Sequence, residues 1–78
     1  MGNKVVKIID KMRRQPNSIS PDDAEKVLIY LGFERRRTEG SHRRFKRKSD
    51  GRWFTLVISK NPIKKYLVDD ILDVVDES

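Results

Sequence analysis

With 78 residues the chain can bury one small core, near the lower limit for folding without disulfides or metal. It has no cysteine and a single histidine, which excludes a disulfide framework and thiolate ligation and argues against a zinc site; no metal or cofactor is expected. Lysine and arginine number 18 against 12 aspartates and glutamates, a net charge of +6, and no apolar run approaches the ~20 residues that cross a bilayer.

The first predicted element is an amphipathic helix over Lys4 to Gln15, where Val5, Ile8, Ile9 and Met12 approximate the i, i+3, i+4, i+7 spacing. Pro16-Asn17-Ser18 breaks it. A second helix is predicted from Pro21 to Leu31. Ser20 suits its N-cap, Pro21 the first helical position and Asp23 the positive end of the dipole. Ala24, Val27, Leu28 and Leu31 form its apolar stripe, and Gly32 suits the left-handed residue that closes it.

Three strands follow: Phe33 to Glu39 with Phe33 inward, Ser41 to about Lys48, and Arg52 to Ser59. Gly40 marks the first turn, and Ser49-Asp50-Gly51 is a strong hairpin signal. The third strand puts Phe54, Leu56 and Ile58 on one face and Trp53, Thr55 and Val57 on the other. After Lys60-Asn61-Pro62, a last helix over about Lys65 to Asp76 is expected to bury Leu67, Val68, Ile71, Leu72 and Val75. The expected class is α+β, a three-stranded antiparallel meander with helices on one face and solvent on the other. Residues 1–78 are read as a single domain, in which 1–18 add a leading helix to a core over 19–76. No signal-peptide pattern opens the chain, and Val6 stands where a myristoylation signal needs Ser or Thr. The expected location is the cytoplasm.

Charge is distributed unevenly. From Arg35 to Arg52 there are nine basic residues and two acidic ones, whereas Tyr66 to Ser78 carries five acidic residues and no basic one. A basic block of this kind suits a polyanion, since each cation at a phosphate releases counterions. It equally describes a solvated surface. The second strand holds the sole histidine within this block. Alternation places Ser41, Arg43, Phe45 and Arg47 on one face and His42, Arg44, Lys46 and Lys48 on the other. Phe45 is the core candidate, so His42 points to solvent beside Arg44 and Lys46. Arg35-Arg36-Arg37 must divide between the two faces if the first strand is regular.

RNA cleavage without metal requires a base for the 2′-hydroxyl proton, an acid for the leaving 5′-oxygen and cations for the charge that builds on phosphorus. Histidine can transfer protons near neutral pH, and Arg and Lys can stabilise the charge. With one histidine, the second proton-transfer role falls to Lys, Tyr, a carboxylate or water. The bland readings are that Gly40-Ser41 is only turn geometry and His42 an ordinary exposed strand residue. Trp53 could stack on a base or fill core, and Tyr66 reads as a packing residue at a helix start. On this reading His42 is the candidate catalytic residue. Arg44, Lys46 and Arg36 are candidate RNA contacts, with Ser41 as a positioning group.

The stretch from about Ser20 to Val75 resembles the HicA family, the mRNA-cleaving toxins of HicA–HicB toxin–antitoxin pairs. The resemblance rests on Leu31-Gly32-Phe33, on Arg35-Arg36-Arg37 with Gly40-Ser41-His42 and Phe45, and on Pro62-Ile63-Lys64-Lys65 before Ile71-Leu72. It implies a double-stranded-RNA-binding-domain-like fold, a ribonuclease that needs no metal, catalysis by His42 and inhibition by a HicB-type antitoxin. Many members carry a second histidine where this chain has Arg43. Many also show proline and a basic residue or histidine where it has Ser59 and Lys60, so Lys60 joins the candidate RNA contacts. The rival reading is a non-catalytic RNA-binding module using the same basic face.

Overall fold

The computed structural model describes residues 2–77. Local chemistry sets most element boundaries. Ser20 has extended backbone (φ −78°, ψ 155°), and its hydroxyl oxygen accepts the Asp23 amide hydrogen at 3.2 Å, so one orphan donor of the following helix is satisfied. Pro21 opens that helix, with Asp22 and Asp23 in its first turn. Gly32, at φ 96°, lets the chain leave it for the first strand. The elements in order are α1 (Gly2–Arg14), α2 (Pro21–Tyr30), β1 (Phe33–Glu39), β2 (His42–Arg47), β3 (Trp53–Val57) and α3 (Lys65–Glu77). The predicted β1 is recovered end to end. The predicted β2 and β3 each lose terminal residues to their turns.

The sheet is antiparallel with order β1-β2-β3. A two-residue link, Gly40-Ser41, joins β1 to β2. Its first residue is at φ 57°, and among the described residues no non-glycine has positive φ, the pattern of a type II′ hairpin turn. The Ile58 amide donates to the Ser41 carbonyl at 2.8 Å, so the pairing of β2 with β3 continues one step past His42↔Val57.

The helices cover one sheet face. Phe33, Phe45 and Leu56 from the strands meet Ala24, Val27 and Leu28 of α2 and Leu67, Val68 and Ile71 of α3 in one buried cluster. Helix α1 joins this cluster through Ile8 and Met12, and Arg13 ties its end to Asp76 of α3 at 2.6 Å. Two loop residues, Ile19 and Ile63, are also buried, and the Ile63 amide donates to the Ile19 carbonyl at 2.8 Å. The periodic patterns gave no sign of either.

Three expectations require correction. In α3 it is Val74 that is buried, while Leu72 and Val75 lie partly buried at the flanks of the stripe, because the helix meets the core along the 67-71-74 line. Tyr66, read as a packing residue, is 54% exposed. Strand β1 is also irregular. Arg35 pairs with Phe45 but Arg37 pairs with Arg44, so Arg36 is an extra residue that shifts the register. Strict alternation from Phe33 would send Arg37 inward, and the bulge turns it to the open face instead.

Candidate functional site

Residues paired across antiparallel strands share a face, so the register defines the open surface as three rows. Glu39, His42 and Val57 make the first; Arg37, Arg44 and Thr55 the second; Glu34, Lys46 and Trp53 the third. His42 is exposed at the turn end of β2, and among the described residues its side chain makes no hydrogen bond or ion pair. Glu39 stands opposite it. The carboxylate of Glu39 also meets Arg44 Nε at 3.5 Å.

The cations of this face are loosely held. Arg36 Nη1 lies 3.6 Å from Glu34 Oε1, and Lys48 Nζ lies 3.8 Å from Glu34 Oε2. Lys46 Nζ sits 5.3 Å from the centroid of the Trp53 ring. Arg36, at the bulge, thus reaches the same surface as Arg44 and Lys46. Ser41 is half-buried in the turn beside His42. Lys60 is exposed three residues beyond Val57, at the end of the sheet where Ile58 bonds to Ser41. The register therefore puts His42, Arg44 and Lys46 on one surface, which Arg36 reaches through its contact with Glu34; Ser41 lies in the adjoining turn, and Lys60 follows β3 outside the paired residues. The register adds Arg37, which the sequence reading placed only within a triplet divided between the two faces, and Glu34 and Glu39, which it did not single out. Arg37 is there only because of the bulge, a long-range pairing effect with no local signature.

The covered face uses its arginines differently. Arg43 Nη1 meets Glu25 Oε1 of α2 at 3.1 Å, and Arg35 Nη1 approaches the same oxygen at 3.7 Å. Arg43 Nε is buried without a partner, so the side chain is satisfied only through its terminal nitrogens. Arg47 forms a two-point contact with Asp50 (2.6 and 3.1 Å) and lies over the Phe33 ring at 5.2 Å. Asp50 also accepts the Arg52 amide at 3.1 Å. The Arg47 guanidinium, reinforced by that amide, holds the Asp50 carboxyl well below the usual carboxylate range. Arg13 lowers Asp76 in the same way. Glu25 could have been found from the sequence: it lies three residues before Leu28, on the flank of the apolar stripe, and an inward Arg43 needs a counter-ion.

The surface is a face and not a cleft, since no pocket is enclosed among the described residues. Nor does any group of three or more His, Asp or Glu there have metal-ligand geometry. No described helix is long and apolar enough to cross a membrane. The family model for the HicA toxin of bacterial toxin–antitoxin systems matches residues 21–75. The chain belongs to the HicA toxin family. Searches of curated proteins and of solved structures gave no match. Membership makes the chain a toxin of a toxin–antitoxin system, with an antitoxin as its partner. The matched span of this HicA chain carries the α-β-β-β-α core of a double-stranded-RNA-binding-domain-like fold, and it leaves α1 outside. His42 and both rows of cations lie within it.

Proposed function

We propose that this HicA chain is an mRNA interferase, an endoribonuclease that cuts mRNA by metal-independent acid–base chemistry at His42. One observation carries the reading: the only imidazole of the chain is exposed on the sheet face that holds Arg37, Arg44 and Lys46. An exposed histidine without a partner among the described residues is free to meet substrate, and loosely held cations can exchange carboxylate for phosphate. In the proposed step the ribose 2′-oxygen attacks the adjacent phosphorus as its proton passes to a base. The P–O5′ bond breaks and the 5′-oxygen takes a proton, leaving a 2′,3′-cyclic phosphate and a 5′-hydroxyl. His42 performs one transfer, and Glu39, opposite it on the same face, is the carboxylate in register for the other. Arg44, Lys46, Arg36 and Lys60 hold phosphates, and Ser41 positions the turn.

The partner that silences the toxin is proposed to be a HicB-type antitoxin whose acidic surface covers His42 and neutralises the basic face together. The protein acts in the cytoplasm, where mRNA is found, as one domain over residues 1–78. The matched core is extended by α1, which shares its buried cluster. The test is induced expression. Wild-type protein should arrest growth and degrade mRNA, and His42→Ala should stay folded while cleavage falls by about 10²–10⁴-fold, the usual share of one proton-transfer group. Undiminished toxicity of a folded His42→Ala would discard catalysis and leave a binding module that acts by occupying RNA.

A further inference from the structure

Resting on the reading of the open face as an RNA site, we propose that Trp53 is a base-stacking subsite for single-stranded RNA, set two to four nucleotides from the bond that His42 cuts. In β3 the inward positions already supply the packing. Phe54 meets Phe33 edge-on at 6.2 Å between centroids, and Leu56 is fully buried. Trp53 points the other way and is 53% exposed, although an indole normally buries much of its large surface. It is the one aromatic ring in the rows of the open face, since the other exposed aromatics, Tyr30 and Tyr66, are on helices.

Its place in the register gives the distance. Trp53 pairs with Lys46 and His42 pairs with Val57, so the two rows are four residues apart along β2. At ~3.4 Å per residue this is about 14 Å. A strand whose bases stack at about 3.4 Å covers that distance in about four nucleotides, and a strand drawn out along a surface in fewer. The row between them contains Arg37 and Arg44, and the Lys46 ammonium lies 5.3 Å from the indole centroid. Cations thus mark the path from the ring to His42 at intervals suited to a sugar–phosphate backbone, with a π-surface at its far end. That alternation favours a nucleic acid over a protein as the occupant. Stacking accepts any base, so the subsite contributes reach and affinity more than base identity.

The chain has one tryptophan, so indole fluorescence reports this site alone. The probe is a 2′-O-methyl decaadenylate, which lacks the attacking hydroxyl and remains intact. Saturable, salt-sensitive quenching is expected. Trp53→Ala should weaken binding by about 5- to 150-fold, the contribution of one stacked base, and Trp53→Phe should restore part of it. On cleavable oligonucleotides trimmed to one nucleotide beyond the cut, first on one side and then on the other, one trimming should make wild-type and Trp53→Ala alike. Binding without quenching, no binding at all, equal affinity of wild-type and Trp53→Ala for the decamer, or quenching by the antitoxin alone would each overturn the subsite. Quenching by the decamer with no cleavage of the unmethylated RNA would instead retain the subsite and remove the nuclease reading.

Discussion

The two faces of the sheet use the same residue types for opposite purposes, and β2 carries both along a single strand. Toward the helices, Arg43 and Arg47 are 24% and 14% exposed and contact carboxylates at 3.1 and 2.6 Å. Toward solvent, Arg44 is 53% exposed and its carboxylate contact is 3.5 Å, while Arg36 and Lys48 hold theirs at 3.6 and 3.8 Å. Short, shielded pairs fix the strand against α2 and the hairpin loop. Long, hydrated pairs can be given up to a ligand, because water and salt already screen most of their attraction. A count of basic residues over 35–52 merges these two populations. The register separates them.

The largest effect that would break this division is a double dissociation between neighbours. Arg43→Ala removes the nearer of the two partners of a shielded Glu25, leaving Arg35 at 3.7 Å, and should cost about 1–3 kcal/mol of folding stability. It should leave the RNA affinity of the folded protein unchanged. Arg44→Ala should change stability by less than about 0.5 kcal/mol. It should weaken RNA binding and reduce the slope of log affinity against log salt by about 0.7, one phosphate contact on a single strand. Urea unfolding and RNA titration at several salt concentrations measure both quantities. If the two variants behaved alike in either assay, the faces would not differ as described.

A smaller effect sharpens the comparison from the acidic side. Glu34 lies on the open face within reach of both Arg36 and Lys48. Its carboxylate competes with phosphate for those cations, so Glu34→Gln should tighten RNA binding by up to about fivefold, since an exposed pair contributes about 0.2–1 kcal/mol. Weaker binding would show that Glu34 helps to place the cations instead of restraining them.

Much of this organisation was legible in the sequence where the cause is local. Ser20, Pro21 and Asp23 mark the start of α2 through capping chemistry, and Gly32, Gly40 and Gly51 mark turns through the positive φ they adopt. The two-residue period of β2 sends Phe45 inward and His42 outward, so the exposure of the histidine follows from spacing alone. What escaped depends on contacts distant in sequence. The bulge at Arg36 exists because of how β1 pairs with β2, and it alone brings Arg37 opposite Arg44. Ile19 and Ile63 are buried because two loops meet, and loops carry no period. Whether Val74 or Val75 faces the core is decided by how α3 lies across its neighbours, since both fit the apolar stripe.

The smallest predicted effect concerns pH and belongs to the shielded side. Asp50 is held below its ordinary range by Arg47 and the Arg52 amide, so its folded-state pKa lies under its unfolded value of about 3.9. A group depressed in this way adds stability that is fully present above the unfolded pKa and is lost as pH falls toward the folded one. Asp76, depressed by Arg13, titrates in the same direction and adds to the loss. Asp50→Asn should therefore lower Tm at pH 7. The gap to wild type should hold down to about pH 4, narrow as the solution is acidified further, and shrink in high salt because the Asp50 end of the pair, 41% exposed, is open to screening ions. The Asn side-chain oxygen can still accept the Arg52 amide, so the narrowing isolates the charge and not the turn geometry. Thermal unfolding of both proteins from pH 7 to pH 2 measures it. Parallel curves across that range would mean that the Arg47–Asp50 contact orders the hairpin loop without contributing charge-dependent stability.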